Sequence, residues 1–339
     1  MGNKIPKVTV LMPVYNGENY LGEAINSILN QSFREFEFLI IDDGSTDETN
    51  NIIASFKDRR IRIIENNGNI GLIASLNKGI DLAKGEFIAR MDADDISLPD
   101  RLEKQIDFMN NHTDVGVLGT GFQIIDSNGI KYGLPLSFPT NHDFLQWSMY
   151  FYSPIVHPSV MMNKVIIREI GGYSSLYVHA EDYDLWIRAS EVTKTSNLED
   201  NLLLLRKYGD NITETYLGEH KQNAIKICHS MISDRLHKDI PNKVIEDLWE
   251  TKCLSVKDAL EVCQLIYMLY RNHARKDNLA RNENKLIRDD AGNRLFHILR
   301  PFVKDVHTWN YFLLSFFLNP NILLEHAKKL SGNLFAKSI

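Results

Sequence analysis

Four short apolar runs alternate with helix-like stretches in the first 95 residues, and this rhythm constrains the fold more than any other feature of the chain. The runs are Val8 to Met12, Phe36 to Ile41, Ile61 to Ile64 and Phe87 to Met91. Each is compact, apolar and bounded by turn-forming or polar residues, so each predicts a buried strand. The first is read as stopped by Pro13. Between them Leu21, Ala24, Ile25, Ile28 and Leu29 recur at helical spacing. Ile52, Ile53 and Phe56 do so again, and Ala74 to Ala83 supplies a third helix. This repetition predicts an α/β fold, a mostly parallel, doubly wound sheet flanked by helices. In such sheets ligands bind outside the carboxyl ends of the strands.

Three of those ends are polar. The first leads into the loop Pro13 to Gly17. The second ends in Asp42-Asp43, followed by Gly44-Ser45-Thr46-Asp47, where Ser45 or Thr46 is the expected N-cap of the next helix. The fourth ends in Asp92-Ala93-Asp94-Asp95. Carboxylates packed this closely behind a buried strand are costly unless something pairs with them. Hard divalent cations such as Mg²⁺ and Mn²⁺ take oxygen ligands, often one or two carboxylates plus substrate phosphates. A solvated acidic turn capping the next helix accounts for the same residues without a ligand. The convergence of three polar clusters on one sheet edge favours the cation.

Composition narrows the class. A chain of 339 residues holds one large domain, or a domain plus a smaller appendage. With 44% hydrophobic and 24% charged residues it reads as a soluble globular protein. A net charge of -6 argues against nucleic acid as the main partner. Cys228, Cys253 and Cys263 lack metal-site spacing and read as free thiols in a reducing cytosol. No run has the length of a signal peptide core or a membrane span, so the expected location is cytoplasmic.

Past residue 95 the pattern continues. A helix is expected from Pro99 through Met109, then strands at Val115 to Leu118 and Phe122 to Ile125, and a hairpin turn at Asp126 to Gly129. Asp143 to Tyr152 and Val165 to Ile170 read as helices, the second closed by Gly171-Gly172. Glu181-Asp182-Tyr183-Asp184 opens another helix, and acids there also suit the helix dipole by themselves. From about Tyr216 strand signals stop, and helices are expected at Asn223 to Leu236, Val244 to Leu248, Val256 to Tyr270 and Trp309 to Leu324. The expected organisation is a catalytic domain over 1–213 and a helical region over 214–339. Arg271 to Lys304 is basic, either as a solvated helical face or as a surface for a membrane or a second subunit.

Taken in order, several motifs resemble those of the family 2 glycosyltransferases, which have the GT-A fold. They are Val8 to Asn16, Ser27 to Phe33, Ile41 to Asp47, Asn69-Ile70-Gly71, Gly85 to Ile88 and Met91 to Asp95. His157 to Met161, Gly171-Gly172-Tyr173 and Glu181 to Trp186 complete the set, over roughly residues 5 to 208. The resemblance implies transfer of a sugar from a nucleotide-sugar donor, usually a UDP-sugar, with inversion. It implies that Pro13, Val14, Tyr15, Asn16, Asp43, Asn69, Gly71, Asp92 and Ala93 hold the donor. A carboxylate at Asp43 can accept the imide N–H of uracil. Asp92 and Asp94 match the family's DxD, with Asp94 the expected ligand of Mn²⁺ or Mg²⁺ and Asp95 the alternative. Asp182 matches the catalytic base, and Glu181 beside it raises the pKa of that base by like-charge repulsion. His157 either faces the acceptor or diphosphate, or is structural. A sugar-1-phosphate nucleotidyltransferase would want a basic, glycine-rich loop after the first strand, which Pro13 to Glu18 is not. A non-catalytic glycan-binding scaffold is the remaining alternative, although DxD and base are both present. Without a QxxRW motif or membrane helices, addition of one sugar at a time is expected. The expected acceptor is a lipid-linked or protein-linked glycan of a surface polymer. If it is lipid-linked, the enzyme would sit peripherally at the inner membrane surface. A homo-oligomer built through the C-terminal helices is the other use of that region.

Overall fold

The computed structural model describes residues 5–209, 216–275 and 280–323. Its first elements follow the predicted order: β1 (Val8–Val14), α1 (Leu21–Leu29), β2 (Phe36–Asp42), α2 (Thr49–Ser55), β3 (Ile61–Glu65), α3 (Leu72–Leu82) and β4 (Phe87–Arg90). Strands β3, β2, β1 and β4 lie side by side and parallel, with Leu11 opposite both Leu39 and Arg90. Their carboxyl ends share one edge, and that edge carries Tyr15, Asp43, Asn66 and Asp92. On α1 four residues of the apolar face expected from sequence, Leu21, Ala24, Ile25 and Ile28, are fully buried in the core of this half, while Leu29 is only partly buried against it. Each buried Leu or Ile contributes about 1.5–3 kcal/mol relative to exposure.

Beyond β4 the nine-stranded sheet becomes mixed, in the order β4-β8-β6-β9-β5 with β7 on β6. These strands are β5 (Ile96–Ser97), β6 (Val115–Ile125), β7 (Lys131–Leu136), β8 (Met161–Asn163) and β9 (Lys194–Arg206). The helices among them are α4 (Arg101–Asn111), α5 (His142–Ser148), α6 (Lys164–Glu169) and α7 (Glu181–Ser190), with a 3₁₀ turn at His157–Ser159.

Several expectations are corrected here. β1 does not stop at Pro13. The Leu11 carbonyl accepts from Met91 on the β4 side, and the Val14 carbonyl accepts from Asp43 on the β2 side. By that alternation the missing N–H of Pro13 falls on the β4 side, beyond the paired residues of β4, so no ladder bond is lost. Neither Ser45 nor Thr46 caps α2, which begins at Thr49. The Ser45 hydroxyl instead donates to Asp42 and accepts from the Asn16 amide, while the Thr46 amide donates to Asn16 Oδ1. The two strands expected between Val115 and Ile125 are one. β9 carries no clear period, because Asn197, Glu199, Asp200 and Asn201 interrupt its apolar residues; its parallel pairing with β6, through a register shift at Thr120/Gly121, makes it a strand.

The chain divides into two compact units, one of residues 1–149 and 153–227, the other of 150–152 and 228–339. The boundary expected between 213 and 214 lies outside the described residues, and the division falls within α8 (Leu217–Leu236). The second unit contains α9 (Asn242–Glu250), α10 (Val256–His273), α11 (Arg281–Leu299) and α12 (Trp309–Leu318). A capping box of Ser255 and Asp258 starts α10. Gly292 lets α12 approach α11 closely, since a Cβ there would meet the Ser315 carbonyl at 2.8 Å. Part of the basic run pairs within α11, Arg288 with Asp289 and Arg294 with Asp290. Helix α12 ends at Leu318, short of the expected Leu324, which lies outside the described residues.

Candidate active site

One side of the candidate site is built around Asp43. Its carboxylate is 4% exposed and accepts from Asn66 Nδ2 at 2.7 Å, Ile70 N at 3.0 Å and Gly71 N at 2.9 Å. Asn66 in turn donates to Ser75 and accepts from Lys78. Asp43 thus shapes the loop that carries Asn69 and Gly71, and a carboxylate with about four lone-pair sites retains acceptor capacity. Gly44, at φ +77°, lies against the same loop, where a Cβ would meet the Gly68 backbone at 2.6 Å. Asn16 sits at positive φ, and its side chain holds the first loop to the second through Thr46. Val14 is buried and Tyr15 is exposed beside it.

The acidic cluster follows β4. Carboxylate oxygens of Asp92, Asp94 and Asp95 lie within 4.8 Å of one another. Arg90, itself buried, grips Asp92 with both terminal nitrogens, Nη1 donating to Oδ2 at 2.6 Å and Nη2 pairing with Oδ1. Asp95 is buried, with Oδ1 accepting from the Arg206 amide at 2.8 Å. Asp94 Oδ2 accepts from the Tyr208 hydroxyl at 2.9 Å. Burial, then the charge of Asp92, raises the Asp94 carboxyl to about 6. Burial, then Asp94 and Asp92, holds Asp95 well above the carboxylate range. An all-oxygen donor set crowded with like charge fits a hard divalent cation, which would relieve that crowding.

A second acidic group lies at the N-terminus of α7. Burial, rather than the expected repulsion from Glu181, is the leading cause that raises Asp182, whose Oδ1 accepts from the Tyr183 amide at 2.8 Å. Glu181 is 5% exposed, and burial followed by the charge of Asp182 raises it to about 7. His157 Nε2 shares a 2.7 Å hydrogen bond with the Tyr173 hydroxyl, and its ring meets Trp186 edge-on at 6.0 Å. Burial, then Arg90, holds the His157 pKa well below normal, so the ring is neutral at neutral pH. One of its ring nitrogens is thus committed to Tyr173.

Sequence reading missed the cations that organise this edge. Arg206, at the end of β9, is 1% exposed and ties several segments together. Its Nε donates to the Asp94 carbonyl, Nη1 to the Asp126 and Ser127 carbonyls, and Nη2 to Glu23. Its guanidinium also lies 4.4 Å from the centre of the Tyr20 ring. Arg101, fully buried on α4, donates to the Arg90 and Val160 carbonyls and so braces the β4–β8 junction. The available signal was Arg90 itself: an arginine inside an apolar strand is almost never fully buried unless paired.

A mixed α/β sheet with an acidic cluster at the carboxyl edge of its parallel half defines a glycosyltransferase of the GT-A type. The chain belongs to the family 2 glycosyltransferases. The profile of "Glycosyl transferase family 2" matches residues 9–171. An uncharacterized glycosyltransferase of Haemophilus influenzae is 32% identical, covering 78% of this chain and 86% of that protein. The putative glycosyltransferase EpsE of Bacillus subtilis is 36% identical, covering 66% of this chain and 82% of its own. Among solved structures, S. aureus TarS in complex with UDP-GlcNAc superposes at a TM-score of 0.58, with 18% identity over 91% of this chain and 90% of that one. A mannosyltransferase of Pyrobaculum calidifontis, in complex with GDP-Man and Mn²⁺, superposes at 0.52 with 14% identity over 95% of this chain and 88% of that one. Among the described residues no helix is long and apolar enough to cross a membrane.

Proposed function

We propose that the protein is an inverting, metal-dependent glycosyltransferase that moves one sugar from a UDP-sugar to a hydroxyl of a lipid-linked or protein-linked glycan. The observation that carries this reading is the Asp92–Asp94–Asp95 cluster at the same sheet edge as the Asp43-held loop. In it, the Tyr15-to-Asn16 loop and Asp43 hold the nucleoside, and Asp92 anchors the donor. Asp94, with Asp92, would hold Mn²⁺ or Mg²⁺, Asp95 being the alternative ligand; such a cation stabilises charge on a departing diphosphate. Asp182 takes the proton from the acceptor hydroxyl as it attacks. Its raised pKa makes it a stronger base than a free aspartate once ionised. UDP-GlcNAc in TarS supports the choice of donor class.

The test is release of UDP from a panel of UDP-sugars with Mn²⁺ and with EDTA, followed by mass spectrometry of products formed on glycan acceptors. Metal-dependent release is expected. No turnover of any donor, together with no metal-dependent UDP binding, sinks the proposal. A lipid-linked acceptor would place the enzyme at the cytoplasmic face of a membrane. Liposome flotation of the full chain tests this, and no binding to anionic vesicles counts against it.

A further inference from the structure

The donor side and the base side have one buried cation in common. Arg90 closes β4 and is 3% exposed. Its backbone is fixed on both sides, the amide donating to Val160 and the carbonyl accepting from Arg101. Its fork holds both oxygens of Asp92. Among the described residues its Nε has no hydrogen-bond partner, an unfavourable state for a buried donor. A role limited to packing gives no reason to bury a charge there.

We propose that Arg90 is a positioning residue shared by the two halves of the site: it fixes the Asp92 carboxylate for the donor and supplies the counter-charge beside Glu181 and Asp182. The proposal deepens the glycosyltransferase reading and rests on it. A forked guanidinium sets both the position and the plane of a carboxylate, which a lysine cannot do. With its inner lone pairs committed to Arg90, Asp92 presents its outer ones in one orientation. On the base side the charged and titratable neighbours include the buried Tyr173, which interacts with both acids and with Arg90. Asp182 faces Arg90 from β4 and His220 from α8, while Glu181 faces Asp182 and Arg90. Arg90 favours the ionised form of both acids, opposing the burial that raises them. The same charge disfavours protonation of His157, keeping a second cation from forming nearby.

Two variants of the full-length protein separate the roles. Arg90→Lys keeps the charge and loses the fork; Arg90→Met loses both. Calorimetric titration with UDP and Mn²⁺ should show both binding about 10- to 100-fold more weakly than wild type, the range expected when a group that orients a ligating side chain is removed. The acid limb of the pH profile of kcat/KM for a UDP-sugar should move to higher pH in Arg90→Met and stay in place in Arg90→Lys. A part that is only structural would move neither limb. The loss in Arg90→Lys should also vanish in an Asp92→Asn background, because the fork acts through Asp92. Thermal melts identify variants that do not fold; if Arg90→Met fails, Arg90→Lys and its double variant decide. Folded variants with wild-type affinity and an unmoved limb overturn the inference and leave the enzyme reading intact. Wild-type protein that neither binds UDP with Mn²⁺ nor turns over any UDP-sugar overturns both.

Discussion

Replacing Asp43 with asparagine tests how the donor-side loop is held. The carboxylate makes three hydrogen bonds, two on Oδ1 and one on Oδ2. Asparagine keeps only one acceptor oxygen. If that oxygen stays with Asn66 and Ile70, the new Nδ2 faces the Gly71 N–H, donor against donor. Gly71 keeps its second acceptor, Asn69 Oδ1 at 3.0 Å, so it is not fully orphaned. The loss is then one charge-assisted bond in a nearly buried position, about 1.5–3 kcal/mol. For a catalytic unit of this size each 1 kcal/mol lowers Tm by roughly 2–4 °C, so a drop of about 3–12 °C is expected. A calorimetric melt measures it, and limited proteolysis should show new cleavage between Asn66 and Gly71. UDP binding should weaken in parallel, because the proposed function gives the loop and the carboxylate the same ligand. A melting temperature within about 1 °C of wild type, with no new cleavage, would refute the claim that Asp43 organises this loop.

Other perturbations separate the remaining roles. Asp94→Ala should abolish transfer with little loss of fold, read by UDP release and a thermal melt; an active variant would remove Asp94 from the metal site. Asp182→Asn should abolish transfer while UDP binding survives, and loss of both would point to a structural role for that carboxylate. With Asp182 as the proposed base, the burial that raises it predicts an acid limb in kcat above the ordinary aspartate range. Stability moves the other way: a folded pKa raised above its unfolded value means that the Glu181 contribution is full below about pH 4 and is lost as pH rises through about 7. Glu181→Gln should therefore flatten the pH dependence of Tm between pH 5 and 8, and an unchanged slope would contradict the shift. Tyr208→Phe removes the hydroxyl on Asp94 and should lower metal affinity by about tenfold, read by Mn²⁺ titration.

Much of this protein is legible in its sequence because the parallel half is built from local signals. Strands buried on both faces must be continuously apolar, the helices between them must show period 3.6, and topology then sends every strand end to one edge. That was enough to place Asp43, Asp92, Asp94 and Asp95 at that edge, and the motif order singled out Asp182 as the proposed base. Where the sheet turns mixed, pairing takes over from local preference. β9 becomes a strand because β6 is beside it, although its polar interruptions at Asn197 to Asn201 give no period. Ser45 had the composition of a helix cap, yet its hydroxyl is bonded to Asp42 and Asn16 across two loops.

The carboxylates could be counted in the sequence, but their partners could not. Arg90 stands two residues from Asp92, whereas Arg206 lies 111 residues from Asp95 and Tyr208 114 from Asp94. Only chain folding brings such groups within hydrogen-bond distance, and only burial makes the pairing strong enough to fix a carboxylate. Sequence by itself determined the parallel α/β half and the acids at its edge, through periodicity and the rules of strand connection. Tertiary structure alone decided which cations hold those acids and how far burial raises their pKa, because both depend on what surrounds a charge rather than on what precedes it in the chain.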